Sequence, residues 1–119
     1  MLKKTLVGCT CFILGMAVFA FAQNQAELNQ EAKSDYEIAD AALNKVYKEL
    51  RVGMTDDEKA KLKEVQLLWL KYRDKNAEFA ASRYEGGSVA RMVYAGSLTQ
   101  DTEDRVKRLK AFFREGYEE

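Results

Sequence analysis

Residues 55–82 read TDDEKAKLKEVQLLWLKYRDKNAEFAAS, and their pattern decides the fold class. Thr55 stands three residues before Glu58. This is the capping-box spacing, in which each side chain satisfies the other residue's free backbone amide and starts a helix. From there Leu62, Val65, Leu68, Trp69, Tyr72, Phe79 and Ala80 recur at helical spacing, and nothing interrupts it before Gly86-Gly87. The expected helix is about 28 residues and roughly 42 Å long. A helix of that length in a chain of 119 residues buries its apolar stripe only against helices of similar length.

The flanking segments supply them. Between Leu28 and Leu50, the residues Leu28, Ala32, Ala39, Leu43, Val46 and Leu50 lie on one helical face. Acids early and bases late suit the helix dipole, and Gly53 is the expected stop, through a left-handed glycine conformation. After Gly87, Ser88 is placed to cap a third helix. Val89, Met92 and Val93 are its first apolar turn, and Val106, Leu109, Phe112 and Phe113 its last. Gly96, Ser97, Thr99 and Thr102 are poor helix formers, so the third element is either one bent helix or two meeting near Thr99 to Thr102. Period-two alternation, repeats and low-complexity tracts are absent. The expectation is an all-α antiparallel bundle of three long helices.

Residues 1–22 read as an export signal: Lys3 and Lys4, then an uncharged apolar run from Leu6 to Phe19, then Ala20-Phe21-Ala22 before polar Gln23. Cleavage after Ala22 leaves a helical domain over 23–119. An uncleaved anchor is the alternative, at the short end for a span. A lipoprotein signal ending at Cys9 fits less well, because the long apolar run follows the cysteine. Both cysteines, Cys9 and Cys11, fall in this segment, so the mature domain is cysteine-free and holds together by packing. Removing Lys3 and Lys4 from a balance of 19 basic and 19 acidic residues leaves two more acids than bases. That balance points away from nucleic acid and, once the signal is cleaved, from membranes.

The chain has no histidine, which excludes Ser-His-Asp and Cys-His catalysis and histidine zinc sites. No phosphate loop, dinucleotide fingerprint or calcium-loop spacing occurs, so no cofactor or metal is expected. Carboxylates are plentiful, but no motif nominates the pair that a glycosidase needs. The expectation is a protein that is not an enzyme.

Three constellations stand out. Trp69, Tyr72 and Arg73 share a helix flank, with the two aromatics read as core. Arg73 and Asp74, adjacent opposite charges, each call for a partner elsewhere in the fold, structural or functional. Tyr84-Glu85-Gly86-Gly87-Ser88 is the one conspicuous loop, a tight turn or a backbone surface for a partner. Finally, Glu27, Glu31, Asp35, Glu37 and Asp40 against Lys33 alone make an acidic face on the first helix, suited to steering a basic protein.

Read together, these residues resemble the LprI-type lysozyme-inhibitor domain of the bacterial envelope. The likeness runs through Glu27-Leu28-Asn29, Ala39-Asp40-Ala41-Ala42-Leu43-Asn44-Lys45-Val46-Tyr47, and Gln66 with Trp69, Tyr72, Arg73 and Asp74. It continues through Gly86-Gly87-Ser88-Val89-Ala90, Met92-Val93-Tyr94-Ala95, Leu98, Thr102, Arg105 and Leu109. The ADxxLNxxY run, the WxxYRD run and the GGS turn in that order carry it. The resemblance casts Asp40, Leu43, Asn44, Tyr47, Trp69, Tyr72 and Arg105 as structural residues. Members of the family commonly carry cysteines near the positions of Glu31, Ala77 and Ser97, and this chain has none there. The function implied is an exported, periplasmic or secreted, non-catalytic protein that binds lysozyme and blocks its glycan cleft. The expected contact residues are Arg73, Asp74, Glu85, Gly86, Gly87, Ser88 and Arg91. The alternative is an envelope or stress interaction protein that binds another protein partner.

Overall fold

The capping box forms as its spacing demands. The Thr55 backbone N–H donates to Glu58 Oε2 at 2.7 Å, and the Glu58 N–H donates to Thr55 Oγ1 at 3.3 Å. Asp56, Asp57 and Glu58 place negative charge on the first turn. The computed structural model describes the backbone of residues 6–115 and the side chains of residues 23–115. It contains three helices in sequence: α1, Leu6–Val52; α2, Asp56–Ser82; and α3, Ala90–Glu115. The described chain is an all-α helical bundle, as expected. The expected leader over residues 1–22 lies outside the described side chains. Among the described residues no helix is long and apolar enough to cross a membrane.

The boundaries fall near their expected places, by partly different means. α1 ends just before Gly53, but that glycine is not left-handed. The Met54 N–H instead closes the turn on the Arg51 carbonyl at 3.1 Å. Ser88 does not cap α3: the helix begins at Ala90, and its first bond runs from the Val93 N–H to the Val89 carbonyl at 3.0 Å. The weak middle of α3 neither splits nor ends the helix. Thr99 Oγ1 turns back onto the Ala95 carbonyl at 2.9 Å, and Thr102 is fully buried with a partner across the bundle.

The core joins Leu43, Val46 and Leu50 of α1 to Leu62 of α2 and to Val106 and Leu109 of α3, with Tyr47, Met54, Trp69 and Phe113 packed around it. α3 is the shared partner. Both α1 and α2 pack along it, while α1 and α2 meet each other more sparsely, through long side chains that include Arg73 and Asp40.

α2 departs from the expected pattern. Its inward stripe is Leu62, Gln66, Trp69, Arg73, Ala77 and Ala80, in steps of three and four, with Gln66 and Arg73 buried. Val65, Leu68, Tyr72 and Phe79, expected in the core, lie outside at 51%, 61%, 60% and 64% exposure. Both sets have helical spacing. The polar set is inside because α1 and α3 supply hydrogen-bonding and charged partners for it, which makes its burial tolerable. Leu28 is likewise exposed, so the core stripe of α1 starts lower than expected.

Replacing Thr55 by alanine removes one half of the capping box, and the expected loss is about 1 kcal/mol of unfolding free energy. Urea titration followed by circular dichroism reads it, and Thr55→Ser should retain most of the stability.

Candidate functional site

Arg73 sits where the three helices meet, with only 6% of its surface exposed. Its Nε donates to Asp74 Oδ1 at 3.0 Å, and its Nη2 lies 3.0 Å from the same oxygen. Nη1 faces Asp40 Oδ1 of α1 at 3.7 Å and makes a long contact of 3.5 Å to Thr102 Oγ1 of α3. The guanidinium also lies 5.3 Å from the centre of the Trp69 ring and 5.5 Å from that of Tyr36, close enough for cation–π attraction. Two further polar contacts join α2 to α3. Asn76 Nδ2 donates to Asp101 Oδ2 at 2.8 Å, and Arg105 Nε donates to Gln66 Oε1 at 3.0 Å. Arg105 also approaches the Trp69 ring, at 5.7 Å. The result is a polar girdle around Trp69.

The electrostatics follow from burial. Desolvation pulls the Arg105 guanidinium below its ordinary value, with the like charge of Arg108 adding to the effect. One Arg105 nitrogen, Nη2, is buried without a partner. Desolvation raises the Tyr36 phenol above 10.0; Arg73 opposes this, and the nearby Asp40 and Asp74 add to it.

The turn between α2 and α3 is a separate feature. The Tyr84 N–H donates to the Ala81 carbonyl at 2.9 Å and the Gly87 N–H to the Tyr84 carbonyl at 3.0 Å. Gly86 takes φ +79°, a conformation that side chains rarely adopt, and a Cβ at Gly87 would stand 3.2 Å from the Tyr84 carbonyl oxygen. Residues Arg83 to Ser88 are all exposed, as is Arg91. They form a narrow tip at one end of the bundle.

The expected contact residues therefore divide between two places. Glu85, Gly86, Gly87, Ser88 and Arg91 gather at the tip. Arg73 and Asp74 belong to the girdle, and Arg73 lies about 15 Å from Arg83 along the helix axis. Among the described residues, the hydrogen bond and ion pair of Asp74 are to the adjacent Arg73. Among the structural residues, Asp40 holds Arg73 and receives a weak 3.4 Å hydrogen bond from Asn44 Nδ2. Leu43 and Trp69 join the core, Tyr47 packs against it with Arg51 over its ring, and Arg105 holds Gln66. Tyr72 is the exception, on the outer face. Sequence reasoning missed the parts played by Tyr36, Asn76, Asp101 and Thr102. The available signal was the Leu62-Gln66-Trp69-Arg73-Ala77 step pattern, whose two polar members require partners.

Among the described residues no group of three or more His, Cys, Asp or Glu side chains could hold a metal ion. The fold and the girdle define a small, rigid helical domain whose exposed turn is held by the helices behind it. The chain belongs to the LprI family: the family model described as "Lysozyme inhibitor LprI" matches residues 20–109, and the resemblance in the residues holds. Uncharacterized protein R02472 of Rhizobium meliloti (strain 1021) is 36% identical over 102 residues, covering 75% of this chain and 73% of the relative. No solved structure matches the chain.

Two outcomes test the girdle. Arg73→Ala leaves a cavity among the three helices and removes the contacts to Asp40, Asp74 and Thr102, and should lower stability by about 2 kcal/mol. Arg73→Lys should recover only part of this, because an ammonium cannot reproduce the planar fork. Chemical denaturation measures both, and a loss below about 0.5 kcal/mol for Arg73→Ala would show the girdle to be unimportant. The second outcome concerns pH. The folded protein holds the Tyr36 proton at a pH where the unfolded chain has released it. This stabilising contribution is thus complete below about pH 10 and is lost as pH rises through the raised value. Denaturation midpoints between pH 8.5 and 11.5 should fall less steeply for Tyr36→Phe than for the parent.

Proposed function

We propose that this protein is exported and, without catalytic chemistry of its own, binds a lysozyme and denies it access to its glycan. The membership of the LprI family carries this reading. Physical features favour the α2–α3 turn as the contacting surface. A cleft that cleaves glycans is concave and commonly lined by two carboxyl groups. The turn is exposed; it presents Tyr84, Glu85 and Ser88, and the cations Arg83 and Arg91 flank it. Its hydrogen bonds and the left-handed Gly86 hold it in one shape, so little conformational entropy is lost on docking.

Approach is a separate matter from contact. Glu27, Glu31, Asp35 and Glu37 lie exposed along α1, with only the Lys33–Glu37 pair at 3.7 Å to offset them. A negative face of this kind raises the association rate with a basic enzyme and loses its effect as salt increases. The leader-like residues 1–22 support export to the periplasm or medium, where a lysozyme would be met.

The test uses the protein as purified after export, its N-terminus read by mass spectrometry, against chicken-type, goose-type and invertebrate-type lysozymes. Near-stoichiometric inhibition of at least one type is expected. Replacing Gly87, Ser88 and Arg91 together should weaken that inhibition tenfold or more while helicity is unchanged. Full inhibition by a folded triple variant would move the contact surface elsewhere. Inhibition of none of the three types would turn the reading toward another envelope protein as the partner.

A further inference from the structure

The outer face of α2 carries the least expected feature of the molecule. Val65, Leu68, Tyr72 and Phe79 are each more than half exposed. They follow one another at steps of three, four and seven residues, which aligns them as a single ridge about 21 Å long. Lone exposed apolar residues need no explanation, but an aligned run of them on a helix does. This spacing is the narrow 3.5-residue seam by which two helices pack against each other. Lys75 fills the seam position between Tyr72 and Phe79, Lys61 extends the seam before Val65, and Lys71 and Glu78 flank it.

We propose that this ridge pairs with the same ridge of a second copy, the two α2 helices running antiparallel. The order of residues favours that partner and that direction. With Leu68 of one copy set beside Phe79 of the other, Tyr72 falls level with Lys75 of the second copy. A cation then meets an aromatic face twice, once from each chain. In the same register, Lys71 comes within a turn of Glu78 of the second copy, again twice. Among the described residues, Lys71 has no carboxylate within 4.0 Å in the single chain. Glu78 is held there only by the exposed Lys75 at 2.8 Å. A parallel pairing would instead stack Lys75 on Lys75 and leave no such exchange.

The size of the ridge sets the strength. In this register Val65 lies level with Ser82 of the second copy, and the shared apolar area comes from Leu68, Tyr72 and Phe79, each just over half exposed, roughly 300 Å² per copy. Adding the stems of Lys71 and Lys75 keeps the pair below the roughly 1,200 Å² of a standard stable interface. The dimer is therefore expected to be a weak, reversible one that forms at high protein concentration.

Sedimentation equilibrium on the exported protein, from about 5 µM to 1 mM, tests this. A monomer–dimer equilibrium is expected, with Leu68→Glu and Tyr72→Glu each weakening it tenfold or more at unchanged helicity. Charge exchange tests the register without disturbing the apolar seam. Lys71→Glu should weaken the dimer several-fold, and adding Glu78→Lys to it should restore most of the loss. A parent protein that stays monomeric at 1 mM overturns the proposal. So does a dimer indifferent to Leu68→Glu. A Lys71→Glu effect that Glu78→Lys does not reverse overturns the antiparallel register.

Discussion

The fold depends on one buried cation. Removing a guanidinium from water is expensive, and the penalty is offset only where partners surround it in good geometry. Arg73 draws those partners from all three helices: Asp40 and Tyr36 from α1, Asp74 and Trp69 from α2, and Thr102 from α3. Apolar packing alone tolerates more than one rotation of a helix that carries two stripes of helical spacing. A planar fork with fixed donors does not. α2 carries two stripes of helical spacing, and burial of either would satisfy the hydrophobic pattern. The position of Arg73 among its partners selects the stripe containing Gln66 and Arg73, and this turns Val65, Leu68, Tyr72 and Phe79 outward.

That arrangement also bears on the missing cysteines. The positions at which relatives commonly carry them include Ala77 and Ser97; Ala77 is here fully buried and Ser97 partly so. Close by, the Asn76–Asp101 hydrogen bond and the Arg73–Thr102 contact tie α2 to α3. These ties act in the folded state, whereas a disulfide acts mainly by restricting the unfolded chain. Asn76 joins the two helices within three turns of the α2–α3 connection, so it braces the elements that carry the tip.

How much of this was legible in the sequence depends on the kind of signal. The capping box at Thr55 and Glu58 was readable because it is local and chemically specific, and the stripe of α1 because Ala39, Leu43, Val46 and Leu50 are apolar against charged neighbours. The rotation of α2 was not, because the periodicity of apolar residues assumes that apolar positions face inward. Val65, Leu68 and Tyr72 satisfied that assumption better than Gln66 and Arg73 did. Gly53 and Gly86 show a similar limit. Glycine marks both turns, but only Gly86 uses its conformational freedom; at Gly53 the helix end is closed by the ordinary hydrogen bond from the Met54 N–H to the Arg51 carbonyl. The tip residues were legible as a loop because two adjacent glycines break a helix. Their separation from Arg73 was hidden, because the reading placed Arg73 by its chemistry rather than by its distance along α2.

The tip and the ridge lie on different parts of the same helix, and the constraint that fixes one fixes the other. Phe79 ends the ridge, and Arg83, at the start of the turn, lies over its ring at 5.7 Å. A helix rotated to bury Phe79 would carry Arg83 inward with it and change what the tip presents. In an antiparallel pair of α2 helices, the two tips point in opposite directions and stand at opposite ends. The two tips are then separate surfaces, and whatever partner they bind is met by each chain on its own.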